Sequence, residues 1–137
     1  MNCKVIYKSR GGNTKLVAEA IAKGAGVTAE SIENITDFSG VDVLFIGGAL
    51  YAGKIHPSLK EFISKLDDSA VKTVVIFGSS TSGETSRIEI EEILKHKNIE
   101  VSDKIYFCKG SFLFFNRKRP NTDDLKAAEE FAASCVR

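Results

Sequence analysis

Apolar runs alternate with amphipathic stretches along the chain, and this alternation predicts strands and helices in rotation. Met1 to Tyr7 reads as a first strand, with Val5 and Ile6 in its apolar run. A helix is predicted from about Asn13 to Lys23, where Leu16, Val17, Ala20, Ile21 and Gly24 recur at three- and four-residue spacing as one buried stripe. Gly24 and Gly26 are expected to break it. Val27 to Ile32 mixes polar and apolar residues, as a partly covered edge strand does. Val43 to Ile46 and Val74 to Phe77 are continuous apolar runs, the pattern of central parallel strands covered on both faces, and each ends in a glycine, Gly47 or Gly78.

Between those runs, His56 to Leu66 predicts a helix with Pro57 in its first turn and an apolar face of Leu59, Phe62, Ile63 and Leu66. Ser86 to Lys97 predicts another, buried through Ile90, Ile93 and Leu94. Ile105 to Phe107 reads as a fifth strand. A last helix starts after Pro120, with Asn121 or Thr122 as cap, Asp123 and Asp124 near the positive end of its dipole, and Leu125, Ala128, Phe131, Ala132 and Cys135 facing inward. Five strands rotating with four helices predict an α/β fold, a parallel sheet wound on both sides into a three-layer α/β/α sandwich. The second and fifth strands are the least continuous and belong at the edges. That gives the order 2-1-3-4-5, with a ligand-binding switch point between strands one and three.

Length and composition narrow the picture. A chain of 137 residues suits one domain over 1–137, and 43% apolar residues with only 2 prolines argue for an ordered globular core. No apolar run is long enough to span a bilayer, and the first residues read as a strand rather than a signal peptide, so a cytoplasmic location is expected. Cys3, Cys108 and Cys135 are widely spaced, with no Cys-x-x-Cys pair, and support neither a disulfide framework nor a metal site. A net charge of +1 gives no global field that would favour nucleic acid.

Chemistry concentrates in the predicted loops. Ser9-Arg10-Gly11-Gly12-Asn13-Thr14 joins the first strand to the first helix, where unpaired N–H groups and the helix dipole favour an anion such as phosphate. Gly11 and Gly12 let the backbone approach the oxygens, while Ser9 and Thr14 supply hydroxyl donors. The same cluster also reads as a polar turn with a helix cap. The segment 108–120 is both aromatic and basic: Phe112, Phe114 and Phe115 suit a lid or a core filling, and Arg117, Lys118 and Arg119 suit a docking patch for an acidic partner. Cys108 reads as a small buried residue, and neither His56 nor His96 is assigned a catalytic role. The end of the first strand, Tyr7-Lys8-Ser9, lacks the acidic pair of a phosphoryl-accepting receiver domain.

Ser9 to Thr14, followed by Lys15-Leu16-Val17-Ala18, resembles the FMN phosphate loop of the flavodoxin family, and the likeness runs over essentially the whole chain. Gly11 stands where that family usually has threonine, and Arg10 places a cation near the expected phosphate. The resemblance implies FMN as cofactor, with Ala49, Leu50, Tyr51, Ala52 and Gly53 in a first flavin-contacting loop and Ser79, Ser80, Thr81, Ser82 and Gly83 at the pyrimidine edge. Tyr51 is either the ring stacked on the isoalloxazine or a surface tyrosine packed on the next helix. Ala52 or Gly53 is implied to offer a carbonyl to the flavin N5 proton when the cofactor is half reduced. The 79–83 loop has no aromatic residue, which implies one flavin face open to a redox partner protein or a small planar acceptor. The resemblance implies an electron carrier that needs no catalytic side chain; an FMN-dependent reductase of quinones and an unliganded binding module are the alternatives.

Overall fold

The computed structural model describes residues 2–8, 12–35, 39–48, 54–78, 83–108 and 120–136, with the backbone alone for 83–86. The elements are β1 (Cys3–Lys8), α1 (Asn13–Ala25), β2 (Ala29–Ser31), a 3-10 turn (Ile32–Asn34), β3 (Val41–Gly48), α2 (Pro57–Ser64), β4 (Val71–Gly78), α3 (Gly83–Leu94), β5 (Glu100–Phe107) and α4 (Thr122–Cys135). All strand pairings are parallel, and the order is β2-β1-β3-β4-β5, as the rotation of elements predicts.

Alternation along the strands divides the core between the two faces. Ile6, Leu44, Ile46, Val74 and Ile76 point toward α2 and α3, where Leu59, Ile63, Leu66, Ile90 and Leu94 close over them. Val5, Val43, Phe45, Val75 and Phe77 point the other way, onto Val17, Ala18, Ile21 and Ala22 of α1 and Ala128 and Ala132 of α4. Cys108 is buried in this second half. Both faces of β3 and β4 are thus covered, which is why their sequences are continuously apolar rather than alternating.

Several elements differ from expectation. The buried stripe of α1 is Thr14, Val17, Ala18, Ile21 and Ala22, while Leu16 is 45% exposed. Gly24 does not break α1 but lies within it, where the helix meets α4: a Cβ there would overlap the Glu129 carbonyl oxygen. Gly26 ends the helix in the left-handed region, with Gly26 N–H donating to Lys23 and Val27 N–H to Ala22 at 2.9 Å. β2 is shorter than Val27 to Ile32, and β5 begins well before Ile105. α3 starts at Gly83 and ends at Leu94, before Asn98 turns the chain with φ of 57°.

The opposite end of the sheet is tied by carboxylates. Asp67 accepts from Ser69 Oγ (2.5 Å), Ser69 N (3.0 Å) and Ala70 N (3.1 Å), shaping the turn whose Ala70 carbonyl receives Val41 N–H. Asp42 accepts from Asn2 N at 2.8 Å and pairs with Lys72. The Ser69 hydroxyl lowers the Asp67 pKa, and the Asn2 N–H lowers that of Asp42. A depressed folded-state pKa adds stability that is full above the ordinary aspartate value of about 3.9 and is lost as pH falls through the folded value. Urea midpoints measured from pH 6 down to pH 2 should therefore fall below about pH 4. Asp67→Asn should flatten part of that decline; an unchanged slope would show that this turn contributes nothing.

Candidate functional site

The carboxyl ends of β1, β3 and β4 come together at Lys8, Gly48 and Gly78, with Lys8 in register with Gly48. Packing dictates glycine there. A Cβ on Gly47 would enter the Phe77 ring, one on Gly48 would lie 2.8 Å from Leu59 Cδ2, and one on Gly78 would lie 2.5 Å from the Gly48 carbonyl oxygen and 2.7 Å from Phe107 Cε1. The two central strands therefore end in bare backbone at the point where β1 and β3 send their connections to opposite faces of the sheet. In an open α/β sheet this crevice is where a ligand binds.

α1 starts at the same end. Gly12 precedes it with φ of 88° and ψ of −13°, a left-handed conformation that favours glycine although a Cβ would meet nothing there. Its carbonyl accepts Leu16 N–H at 3.1 Å. The first turn holds no acidic residue, and Thr14 is the only buried polar side chain among the described residues. α4 starts differently: Asn121 and Asp124 form a reciprocal capping box, with Asp123 and Asp124 against the dipole. The first turn of α4 thus carries two carboxylates against the dipole, whereas the first turn of α1 carries none.

Other residues frame the crevice on its α2 side. Lys8 forms an ion pair with Glu33 of the 3-10 turn, and that lysine holds the Glu33 carboxyl below its usual pKa. Where the chain enters α2, Ile55 N–H donates to Glu89 Oε1 of α3 at 3.0 Å. His56 caps α2: its Nδ1 accepts from Ser58 N at 3.0 Å and lies 2.8 Å from Ser58 Oγ. A backbone N–H only donates, so Nδ1 is the unprotonated nitrogen. His56 is thus a structural cap that sequence reasoning passed over, although Pro57 at the helix start was a signal for it. His56→Ala should lower stability by about 1 kcal/mol and His56→Asn by less. Equal losses in chemical denaturation would rule out the capping role.

Of the residues expected to bind a cofactor, the structure brings Gly12, Asn13 and Thr14 to the crevice at the start of α1, and makes Gly83 the first residue of α3 rather than part of a loop. Ser9, Arg10, Gly11, Ala49, Leu50, Tyr51, Ala52, Gly53, Ser79, Ser80, Thr81 and Ser82 lie outside the described residues, as does 109–119 with Phe112, Phe114, Phe115, Arg117, Lys118 and Arg119. Among the described residues, no group of three or more histidines, cysteines or acids is placed to hold a metal ion, and no helix is long and apolar enough to cross a membrane.

Fold and crevice define a doubly wound α/β protein whose strand order reverses direction between β1 and β3. A flavodoxin domain model matches residues 4–111, and the chain belongs to the flavodoxin family. It is 28% identical over 153 aligned positions to an uncharacterized protein of Methanocaldococcus jannaschii, covering 100% of this chain and 99% of that one. Among solved structures, a flavodoxin from the domain Archaea superposes with a TM-score of 0.81 at 23% identity, covering 99% of this chain and 96% of that one. Oxidised flavodoxin 1 from Bacillus cereus gives 0.74 at 19% identity, over 99% and 97%. These two likenesses describe the shared fold.

Proposed function

We propose that residues 1–137 form a single cytoplasmic domain that binds FMN and carries electrons between redox partners. The carrying observation is the start of α1: a left-handed Gly12, a buried Thr14 and no acid in the first turn, directly after β1 at the switch point. This donor set fits a phosphate dianion, which backbone N–H groups and the helix dipole would hold. In this reading Ser9, Arg10, Gly11, Gly12, Asn13 and Thr14 hold the phosphate, and 49–53 and 79–83 flank the ring. FMN supplies one- and two-electron redox chemistry when bound; the protein binds, orients and partly shields it.

The visible spectrum of the purified full chain before and after FMN addition tests the proposal. Binding at micromolar FMN is expected, with a stabilised one-electron-reduced form on stepwise photoreduction. Failure to bind would remove the reading. The 79–83 segment has no aromatic residue, which favours a second reading, an FMN-dependent reductase of quinones or similar planar acceptors. Rapid NAD(P)H oxidation with a quinone, and no one-electron-reduced form, would support that reductase over the carrier.

A further inference from the structure

α1 and α4 run side by side over one face of the sheet. Both start at the carboxyl ends of the strands: α1 follows β1, and the first turn of α4 is tied to β5, where Tyr106 Oη donates to the Asp124 carbonyl at 2.6 Å. Gly24 lies against the Glu129 backbone. Counting back along both helices by whole turns sets Glu19 and Ala20 level with Leu125 and Lys126, and Leu16 level with Thr122. These residues line a groove of about 650 Å³ between the two helices, with the apolar Leu16, Ala20 and Leu125 along it. Leu16 is one of two large apolar side chains left exposed among the described residues, the other being Ile88 on α3, across the sheet.

Charges alternate around this groove. Glu19 on α1 stands level with Lys126 on α4, and one turn further on Lys23 stands level with Glu129 and Glu130. Lys23 and Glu129 pair at 3.8 Å, and the lysine side chain is 75% exposed. A checkerboard of this kind is its own complement. A two-fold axis along the groove lays α1 of one copy on α4 of another, with Glu19 against Lys126 and Lys23 against Glu129 and Glu130. The same axis sets Leu16 over Thr122 and Leu125 of the second copy and takes it out of water. A two-fold axis across the groove also matches charges, Glu19 against Lys23, but it carries Leu16 past Lys23 to the end of α1 near Gly26. The apolar positions therefore select the axis along the groove. We propose that this surface seats a second copy of the chain, as a two-fold dimer in which α1 packs on α4 of the other copy. Apolar contact supplies the attraction and the charges fix the register, because exposed ion pairs contribute little by themselves. The interface is closed, so association stops at two, and both crevices open at the same end of the dimer. None of this depends on the FMN reading.

Sedimentation equilibrium of the full chain over a range of concentrations tests this. A reversible dimer with a Kd below about 1 mM is expected. Leu16→Asp should raise that Kd about tenfold or more, and Glu19→Lys should do the same by setting like charges against each other. Glu19→Lys combined with Lys126→Glu should restore the wild-type Kd, because the exchanged charges still meet as opposites across the axis along the groove. Recovery in the double variant also shows that the loss in Glu19→Lys is not a loss of fold. Glu92→Lys makes the same change of charge on α3, at the other face of the sheet, and should leave the Kd unchanged. A double variant as weak as Glu19→Lys would overturn the proposed axis, and a dimer indifferent to Leu16→Asp would overturn the surface. A wild-type chain that stays monomeric up to about 1 mM would overturn the proposal in favour of an occupant other than a second copy.

Discussion

Gly24→Ala should destabilise the chain by about 3 kcal/mol, the upper end of ordinary overpacking costs. The sign is informative, because the same change inside an unhindered helix would stabilise by about 1 kcal/mol. Here α1 and α4 pack closely enough that the added methyl would overlap the Glu129 carbonyl oxygen and press on Ala132 Cβ at 3.1 Å. A carbonyl within a helix cannot swing aside as a side-chain tip can, so the helices must separate. That would lift Val17, Ala18 and Ile21 from Ala128 and Ala132. Urea denaturation of the two proteins measures the difference directly. Stability at or above wild type would mean that the helices part at little cost and that the crossing does not depend on glycine.

Gly47→Ala should cost a similar amount, about 3 kcal/mol, for a different reason. Its new methyl would enter the ring of Phe77, the residue opposite it in the β3–β4 register and wholly buried. The obstacle is now a side chain, so a smaller neighbour should relieve it. Gly47→Ala combined with Phe77→Leu should be more stable than the two single losses added together, with a coupling of about 1–3 kcal/mol. Under the proposed function, the single variant should also bind FMN more weakly, since 49–53 and 79–82 both spring from the strand ends it displaces. A double mutant that merely adds the single losses would show that the strands, not the ring, absorb the methyl.

Most of the architecture was legible because the signals were local. The Val43–Ile46 and Val74–Phe77 runs announced strands buried on both faces, and Pro57 and Asn121 marked helix starts that the structure keeps. What was not legible depended on distant partners. Leu16 fits a helical stripe, but α4 covers the neighbouring positions, and the threonine valued for its hydroxyl, Thr14, is also part of the buried face. Gly24 looked like a helix end because glycine usually is one; only the approach of α4 explains it inside a helix. Glu100 to Lys104 is too polar to suggest a strand, and its extended backbone comes from pairing with β4 on either side of a bulge at Ser102–Lys104. Gly83 is a poor helix former, which hid the first turn of α3. For the candidate site, the placing of Gly12, Asn13 and Thr14 at the start of α1 was readable from their position after β1. The contacts of Arg87 with Ser102 and Asp103 were not, because tertiary packing sets those partners, whereas His56 caps α2 through Ser58, two residues on, and was missed although Pro57 signalled a helix start.

The sheet also carries a safeguard at its two margins. An open β-edge offers unpaired N–H and C=O groups to any passing extended chain, and long, flat, regular edges seed aggregation. β2 presents only three residues, Ala29–Ser31, and β5 is bulged midway over Ser102–Lys104, where its register with β4 shifts, with Glu100, Asp103 and Lys104 exposed along it. Neither margin gives an incoming strand a long uninterrupted template. The irregularity that spoils the β4–β5 ladder is therefore also a feature that keeps one molecule from growing onto the next when the protein is crowded.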